Sequence, residues 1–529
     1  MIKDQYNYDV IVIGGGQAAL AAAISAKEQG AAVALVTKGK AGFGGSSVIS
    51  DSVHSAIFSP GDSPELFFND IIEGGRHLSD KRLARVLAEE CTVRVNELES
   101  KFGIRLEREQ VIITPGHSFP RRVYAGNGIG KNITKPLRDY AIESGIFFHE
   151  QTAVVDLLKH NNEVKGVLVQ KGKEFQVMYS PAVILATGGF GGLYQSSDNP
   201  RDVSGEGIGM AWRHGAILVD MEFVQFYPYR LQQPANIDVM TKVFGKGAFL
   251  TNDRNERFME KFPKKELETR DILSYAMFQE QKVLLDFSLV DENVLKHDSP
   301  HLYRLFEKGY TGEWVMSPVQ HYCMGGIQTD EWGRTNVSGL YACGEVTGGL
   351  HGANRLGGGS LTESLVFGHR AGKMAVQEKS MDFKADLKDF GVEAILSTPS
   401  TADGTQTLKK VKEIMWNKVG IERSSQSLKE TADELNNIAL SLENENSIQA
   451  LQLRDKVRSA WASAFAASSR KESRGAHKLQ DIKGEKKEWV GKNRIYNSII
   501  EFTPAASKVE TLLRGEGKLH ENNSLSRNC

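Results

Sequence analysis

The sequence predicts a doubly wound α/β fold with an inserted second domain and a helical C-terminal segment. Three observations predict it: apolar strands that run into glycine turns, an uneven distribution of glycine, and amphipathic helical periodicity after residue 378. Glycine accounts for 52 of the 529 residues, about one in ten against a usual ~7%. Of these glycines, 44 lie in residues 1–390 and 8 in residues 391–529. A glycine-dense body before an ordinary tail indicates backbone that lies close to a ligand, followed by a plain packed module.

The first predicted element is a βαβ unit at the N-terminus. Asp9–Ile13 is a short apolar, β-branched run, as a buried parallel strand requires. A triple glycine follows, and then the alanine-rich Gln17–Lys27, which favours a helix. Gly30 ends this helix, and Ala32–Thr37 has the pattern of a second strand.

The turn of this unit reads Gly14-x-Gly16-x-x-Ala19 and lies between a strand and a helix. Glycines at these positions let a pyrophosphate approach the backbone at a helix N-terminus. The sequence therefore predicts a dinucleotide site, whose candidate residues are Gly14, Gly15, Gly16, Gln17, Ala18 and Ala19. The acidic residue that usually follows the second strand of an NAD site is replaced by Thr37 and Lys38. We therefore expect polar and cationic contacts to the cofactor in place of a simple NAD site.

Two further predicted strands end in the same manner. Ala182–Ala186 runs into Thr187-Gly188-Gly189, and Gly339–Ala342 runs into Cys343-Gly344-Glu345. If one sheet uses all three strands, their carboxyl ends present backbone N–H groups at a common edge. The cofactor candidates from these two turns are Thr187, Gly188, Gly189 and Glu345.

A glycine-rich block at residues 344–363 contains Arg355 and then opens a predicted helix at Ser360 and Leu361. The free N–H groups and the positive dipole end of a helix lie together at such a point. This arrangement suits an electron-rich ring or an anionic reduced cofactor, so we include Ser360 and Leu361 among the cofactor-binding candidates.

The remaining patterns divide the chain. Residues 226–337 are richer in aromatic and charged side chains and are predicted to form an inserted domain between 1–225 and 338–377. Residues 378–529 form the predicted helical domain, in which Lys409–Val419 and Leu428–Leu442 have amphipathic spacing and Ile448–Ser468 is a long alanine-bearing helix candidate. The last stretch, Gly515–Cys529, is polar, and we expect it to be frayed.

Composition excludes several classes of function. The formal net charge is −1, which leaves no basic stripe for nucleic acid. Four cysteines form no CxxC pair, so neither a disulfide framework nor a metal site is expected. No apolar run reaches the ~18–20 residues that span a bilayer, and the N-terminus does not have the pattern of a secretory signal. We expect a cytoplasmic protein, with a peripheral membrane position through a partner as an alternative.

Several separated segments together carry a family resemblance. They are His321-Tyr322-Cys323-Met324-Gly325-Gly326, Thr269-Arg270-Asp271, Ser204-Gly205-Glu206-Gly207, Met415-Trp416 and Glu472-Ser473-Arg474-Gly475-Ala476-His477, besides the block at 344–363. With them the chain resembles the flavoprotein subunit family of succinate dehydrogenase and fumarate reductase, which also includes L-aspartate oxidase. The resemblance implies a Rossmann-like FAD-binding domain in two segments, an α+β capping domain and a C-terminal helical domain, with the active site between FAD and cap.

The resemblance also implies roles. Arg270 matches the proton donor or acceptor, Arg355 and His321 match carboxylate-binding groups, and Thr241 matches a hydroxyl contact to the other carboxylate. Gly45, Ser46, Ser47 and Glu206 match positions that touch FAD. The implied activity is hydride exchange between flavin N5 and a carboxylate-bearing substrate. No iron–sulfur ligand pattern occurs in the sequence, so any cluster belongs to a separate electron-transfer subunit.

Four departures from the family pattern bear on the substrate. Tyr227 stands where the family has a substrate-contacting histidine, and tyrosine carries no positive charge at neutral pH. Lys242 replaces a glutamate of the family's proton relay, and the relay's arginine has no counterpart. Ser46 occupies the position of the flavin-linking histidine, so noncovalent FAD is expected. Ser50-Asp51-Ser52-Val53 replaces the family's AxGG segment, so the backbone beside the flavin differs.

Two alternatives to a fumarate-reductase-like activity stay open at this point. L-Aspartate oxidase shares the noncovalent pattern and an HS…RR segment, present here as His117-Ser118 and Arg121-Arg122. Its glutamate before the histidine is absent, because Pro115-Gly116 stands there. The other alternative is an electron-transfer subunit that keeps FAD without turnover.

Overall fold

The computed structural model describes residues 2–378, 404–443, 445, 447–496 and 499–504. A parallel sheet of five strands forms the centre of the cofactor domain. One of its two edge strands comes from the segment after residue 338. The strand order is Leu340–Ala342, Ala182–Leu185, Val10–Ile13, Val33–Val36 and Phe147–His149. The prediction that three strands with glycine turns share one sheet is therefore confirmed, since all pair in parallel.

Two helices cover one face of this sheet and pack very closely against each other. Gln17–Glu28 packs along Gly359–Ala375. A Cβ added at Gly372 would lie 2.1 Å from the Ala22 carbonyl oxygen, and one at Gly368 would lie 2.8 Å from the Ala18 carbonyl oxygen. Small residues on both helices are therefore required, which explains the alanine and glycine of these segments.

The helices alternate with strands up to residue 375 and then dominate the chain. The α-helices are Gln17–Glu28, Ser46–Ile49, Pro64–Gly74, Lys81–Ser100, Lys131–Glu143, Glu206–Arg213, Thr241–Phe244, Arg270–Phe278, Glu292–Asp298, Pro300–Glu307, Gly359–Ala375, Gly404–Lys418, Ser425–Ser441 and Ile448–Ser469. The last three correspond to the three helices that the spacing predicts.

Smaller sheets surround the central one. A four-stranded sheet contains Ile2–Asn7, Glu174–Tyr179, Glu163–Lys171 and Ala153–His160. A three-stranded sheet contains Val53–Ser55, Arg122–Ala125 and Leu106–Arg108. Val224–Tyr227 pairs with Val319–Cys323 and joins the cofactor domain to the inserted one.

The inserted domain is an α+β unit with its own core. Its antiparallel sheet has the order Ile237–Asp238, Arg230–Gln233, Val315–Met316, Val283–Asp286 and Phe249–Asn252. The buried side chains of Tyr229, Leu231, Leu250 and Leu285 belong to this core. The sheet ends at Met316, earlier than the boundary expected at 337, because the next two strands pair with cofactor-domain strands.

The C-terminal domain differs from its prediction in one respect. A hairpin of Gly491–Tyr496 and Ile499–Pro504 adds to a sheet with Leu218–Val219, Gly326–Gln328 and Thr347–Gly348. Helical spacing gives no signal for a hairpin whose partner strand lies more than two hundred residues earlier. The frayed stretch predicted at Gly515–Cys529 lies outside the described residues. Among the helices described, none has the length and apolar content to cross a membrane.

Buried ion pairs fix this domain to the body. Glu222, from the cofactor domain, accepts a hydrogen bond from Arg470 Nε at 2.7 Å, and both side chains are fully buried. Glu472 binds Arg470 and Arg474 at 2.8 Å each. Loss of one partner from such a buried pair would strongly destabilise the fold, because it leaves an uncompensated buried charge.

Candidate active site

The three strand-to-glycine turns open onto one large cavity between the central sheet and the inserted domain. Its volume is about 530 Å³, and it runs from the turn at Gly14–Gly16 to the helix that begins at Arg270. The cavity is the size expected for a cofactor with a small substrate. Its walls combine the carboxyl edge of the sheet with side chains of the inserted domain, as the doubly wound fold predicts.

The first end of the cavity fits a dinucleotide. Gly14 has φ +136°, and a Cβ there would lie 2.2 Å from the Ala186 carbonyl oxygen. Gly16 is the N-cap of the first helix and offers no side-chain hydrogen bond; of the first-turn N–H groups, that of Gln17 donates to Ser47 Oγ, and the N–H groups that follow it can face an anion. Thr187 Oγ1 is buried there without a hydrogen-bond partner within the described residues. These features fit a pyrophosphate held by backbone and hydroxyl donors.

Polar and charged side chains flank the dinucleotide end of the cavity. Thr37, Lys38 and Glu206 all line the cavity. Glu206 forms ion pairs with Lys38 and with Lys456, the latter at 2.7 Å. Burial, and then the nearby Lys456, lowers the pKa of Lys38 to about 8. The polar and cationic surroundings expected from the missing acidic residue are therefore present at this position.

Two of the predicted cofactor residues do not line the cavity. Ala19 is fully buried beneath the turn, where its Cβ would meet a Cβ placed on Gly14 at 3.4 Å. Gly189 lies behind Glu345, since a Cβ on it would come within 2.7 Å of Glu345 Oε1. Close packing accounts for the small residues at both positions, and neither residue lies at the surface of the cavity wall.

The remaining predicted cofactor residues are at the cavity wall. Gly45, with φ +80°, begins the short helix Ser46–Ile49. Ser46 Oγ donates to Asn199 Oδ1 at 2.6 Å, and Ser47 Oγ accepts from the Gln17 N–H at 3.2 Å. Glu345 Oε1 accepts from the Cys323 N–H at 3.0 Å, and burial raises the pKa of Glu345 to about 7. Gly15, Gln17, Ala18, Gly188, Ser360 and Leu361 line the cavity as well.

Arg270 lies at the other end of the cavity, in the first turn of the helix Arg270–Phe278. Its Nη1 donates to Gln225 Oε1 at 2.9 Å. Gln225 Nε2 in turn donates to the Arg355 carbonyl at 2.8 Å and to Asn354 Oδ1 at 3.0 Å. Burial lowers the pKa of the Arg270 guanidinium below its usual value. One buried amide thus couples the two predicted arginines.

Arg355 is 3% exposed and faces the same end of the cavity. Its Nη1 donates to Ser360 Oγ at 3.2 Å, and its guanidinium lies 4.5 Å from the ring centroid of Tyr322. Its Nε has no hydrogen-bond partner within the described residues. Burial, followed by the charge of Arg270, lowers the pKa of Arg355 to about 9. Part of the guanidinium is therefore free to bind an anion.

His321 lies at the same end as the two arginines. Its Nδ1 lies 2.6 Å from Asp198 Oδ2, and Asn199 Nδ2 donates to its backbone carbonyl at 2.7 Å. Burial lowers the pKa of His321, while Asp198 opposes this shift. Nδ1 bound to a carboxylate carries the proton, which leaves Nε2 for a ligand.

Tyr227 stacks on His321 with ring centroids 4.9 Å apart and 30° between the planes. The Arg270 guanidinium lies 5.2 Å from the Tyr227 ring, and burial raises the pKa of the phenol well above its usual value. Tyr227 is therefore neutral at physiological pH. Thr241 begins the helix Thr241–Phe244 and also lines this end.

Lys242, which replaces the family's relay glutamate, is held away from this wall. Its Nζ binds Asp298 Oδ1 at 2.7 Å, while Lys246 binds the other oxygen at 2.9 Å. Lys242 is not among the residues that line the cavity. The position that relays protons in the family therefore has a structural ion pair here.

The HS…RR segment is mostly structural too. Arg121 is 1% exposed and binds Asp62 through Nη2 at 2.6 Å and also Asp70. His117 Nε2 lies 3.1 Å from the Gly357 carbonyl, and burial lowers the His117 pKa to about 4. Of the four residues, only Arg122 lines the cavity.

Sequence reasoning missed several cavity residues. The side chains of Asp198, Asn199, Arg230, Asp238 and Met240 line the cavity, and so does Asp51, whose segment is expected from sequence to alter only the backbone. Asp198 reaches His321 across 123 positions of sequence. The one available signal was the substitution at Asp51, where a carboxylate stands in an altered segment.

Comparisons with known proteins agree with this geometry. Residues 9–361 match the FAD binding domain family, and residues 408–510 match the C-terminal family of the fumarate reductase flavoprotein. One subunit of the CoM/CoB fumarate reductase of Methanothermobacter marburgensis is 31% identical over 92% of this chain and 97% of its own. The L-aspartate oxidase of Saccharolobus solfataricus is 33% identical over 92% of this chain and 98% of its own. A chain of E. coli quinol fumarate reductase superposes with a TM-score of 0.86 at 25% identity, covering 96% of this chain and 98% of that one.

Proposed function

The chain belongs to the FAD-dependent flavoprotein family of fumarate reductases, succinate dehydrogenases and L-aspartate oxidases, and from that membership we propose that it interconverts a carboxylate-bearing alkene and its saturated partner. One observation carries the choice of reaction. Arg270, His321 and Arg355 come from three distant segments and face a single end of the cavity. FAD, when bound, supplies the hydride acceptor or donor for the C–C bond.

The substrate carboxylate is assigned to Arg355 and His321. Arg355 retains an unpartnered Nε beside its free Nη2, so among the described residues its guanidinium suits a bidentate carboxylate. His321 adds a hydrogen bond from Nε2 in its protonated form. Burial lowers its pKa, and Asp198, which fixes the ring through Nδ1, opposes this shift. Together these groups polarise a double bond conjugated to the carboxylate, because they stabilise negative charge that moves onto its oxygens.

Arg270 is the proposed proton donor in reduction and acceptor in oxidation. An arginine is a poor acid at its ordinary pKa, which is above 12. Burial lowers the pKa of Arg270, and the nearby Arg122 lowers it further. Its hydrogen bond to Gln225 fixes Nη1, so Nη2 and Nε are left to face the substrate carbon. Lys242 is bound to Asp298 and does not serve as a relay. Groups or solvent inside the cavity are therefore proposed to return the proton to Arg270.

FAD is proposed to be bound noncovalently and to exchange electrons with a separate chain. Ser46 has no imidazole to bond covalently to flavin, and its hydroxyl already donates to Asn199, which supports noncovalent FAD. A separate chain with iron–sulfur or other redox centres is proposed to exchange electrons with the flavin. The relative from M. marburgensis is itself named as one subunit of its enzyme. A peripheral membrane position would come through such a partner, and otherwise the protein is proposed to be cytoplasmic.

The test is a reoxidation assay. The purified enzyme is photoreduced without oxygen and mixed with fumarate or a related enoate, and flavin absorbance is followed. Rapid return of the oxidised spectrum, with the saturated acid as product, is expected. Reduction by L-aspartate together with reoxidation by oxygen alone would instead establish amine oxidation. A flavin that only a redox partner reoxidises would establish an electron-transfer subunit without turnover.

A further inference from the structure

The substrate end of the cavity contains more charge than the assigned carboxylate requires. Arg122 is 7% exposed and lines the cavity. Its Nη1 donates to the Tyr124 hydroxyl at 3.1 Å, and its Nε has no partner within the described residues. No carboxylate of the described residues forms a salt bridge with Arg122. A buried guanidinium without an anion is costly, so a ligand anion is the missing partner.

A carboxylate without a partner lies close by. Asp51 lines the cavity, and no residue of the described ranges gives its side chain a hydrogen bond or salt bridge. The strand that follows Asp51 pairs with the Arg122 strand, with Ser55 opposite Arg122, and Asp51 and Arg122 line the same cavity. Burial, and then the charge of Asp238, raises the pKa of Asp51 to about 6, while Arg122 opposes the shift. The Asp51 carboxylate can therefore bind a cation that enters the cavity once the pH is above this value.

Asp238 adds a second carboxylate to this wall. It sits opposite Arg230 in a strand pair, and Arg230 Nη1 donates to Asp238 Oδ1 at 2.8 Å. Both side chains line the cavity. One Asp238 oxygen is thus engaged, and the other is available to a hydrogen-bond donor in the cavity.

Arg270 lines the same cavity as both groups of charges. Its charge contributes to lowering the pKa values of His321 and Arg355, and it opposes the rise in the pKa of Asp51. The reacting bond, which must meet Arg270, is therefore close to both polar groups.

We propose that Asp51, Arg122 and Asp238 form a distal subsite for an α-amino carboxylate, so that the substrate is an unsaturated acid whose far end carries this zwitterionic group. Arg122 binds the carboxylate, and the two aspartates bind the ammonium. A plain dicarboxylate would satisfy Arg122 but would place its anion beside two unpaired carboxylate oxygens, which repel it. The inference rests on the proposed function, since both describe one substrate.

The test is equilibrium binding to the oxidised holoenzyme without oxygen, followed by the shift in flavin absorbance. Three pairs are compared: L-aspartate with succinate, L-glutamate with glutarate, and L-2-aminoadipate with adipate. At least one amino acid is expected to bind about tenfold or more tightly than its partner. No preference in any pair overturns the proposal. Bleaching of the flavin by an amino acid with the 2-oxo acid as product also overturns it, because the ammonium would then sit on the reacting carbon, whereas bleaching with the unsaturated amino acid as product supports it.

Variants locate the preference. Asp51→Asn and Asp238→Asn are each expected to reduce it several-fold, and Arg122→Leu to weaken both members of each pair. Asp253 is an exposed carboxylate of the inserted domain, which also contains Asp238. Asp253→Asn is the matched control and is expected to keep the preference. A preference that survives both aspartate substitutions rejects the assignment. Since these measurements need no turnover, failure of fumarate and of every related enoate, amino-bearing enoates included, to reoxidise the flavin would reject the proposed function alone.

Discussion

Arg270 Nη1 donates to Gln225 Oε1 at 2.9 Å, and the same Gln225 amide donates to the Arg355 carbonyl at 2.8 Å. The proposed acid and the proposed carboxylate-binding arginine are therefore positioned by one fully buried side chain. Gln225 lies in the strand Val224–Tyr227, which links the cofactor domain to the inserted domain. Any change in how the two domains meet is transmitted to both arginines.

Arg270→Ala is expected to reduce turnover about 10²- to 10⁴-fold, the range for loss of a general acid, while FAD stays bound. Steady-state reduction of the preferred enoate, with the flavin spectrum as a check of occupancy, measures this. Gln225→Leu is the companion variant. It keeps Arg270 but loses the three hydrogen bonds of the Gln225 amide, to Arg270, to the Arg355 carbonyl and to Asn354, so an intermediate loss is expected. A normal rate in Arg270→Ala would contradict the assigned role.

Asp198→Asn is expected to weaken substrate binding and lower kcat/KM about tenfold, which is what losing one charge-assisted hydrogen bond costs. Asp198 raises the pKa of His321 against the effect of burial. In the variant the His321 pKa therefore falls, and the alkaline limb of the pH–rate profile moves to lower pH, because a protonated His321 is lost at a lower pH. An unshifted alkaline limb would show that His321 does not bind substrate in its protonated form.

Tyr227→His restores a second imidazole beside His321 and tests whether tyrosine selects the substrate. Succinate and fumarate are expected to bind more tightly to this variant than to the wild type, because a protonated imidazole adds positive charge at a position now neutral. Tyr227→Phe is the control that removes only the hydroxyl. Equal binding by all three forms would mean that residue 227 does not contact the substrate.

The flavin is expected to dissociate when the yellow protein is precipitated with acid, because Ser46 offers no covalent link. Colour that remains in the protein pellet would reject noncovalent binding. Gly14→Ala is expected to lose most of the flavin without acid. The added Cβ would lie 2.2 Å from the Ala186 carbonyl oxygen, at a φ of +136° that alanine rarely adopts.

The preference for amino-bearing ligands is expected to depend on pH through Asp51. Its pKa is raised to about 6 by burial and by Asp238, with Arg122 and Arg270 opposing and Asp198 adding a smaller increase. The carboxylate is charged above this value, so the preference is full near pH 8 and falls as the pH drops toward 5. Asp51→Asn should give a flat profile. The comparison of affinities at pH 5, 6, 7 and 8 measures the effect.

The cofactor domain could be predicted from sequence because its signals are local. A strand, a glycine turn and a helix are adjacent in the chain, and steric limits at Gly14 act over a few residues. The same holds for the helix Ser425–Ser441, whose apolar spacing is visible within a short window, and for Ile448–Ser469, whose alanine content favours a helix. The hairpin at Gly491–Tyr496 gave no such signal, because its partner strand is remote.

The sequence by itself therefore determined the cofactor, the reaction family and the identity of Arg270, His321 and Arg355 as candidates. Only the tertiary structure decided which charges surround them. It turned Lys242 onto Asp298, brought Asp198 to His321, and, within the described residues, left Arg122 and Asp51 unpaired in the cavity. Burial sets the cost of a charge and three-dimensional distance sets its partners, and neither quantity can be read from residue order. The choice of substrate depends on these two quantities.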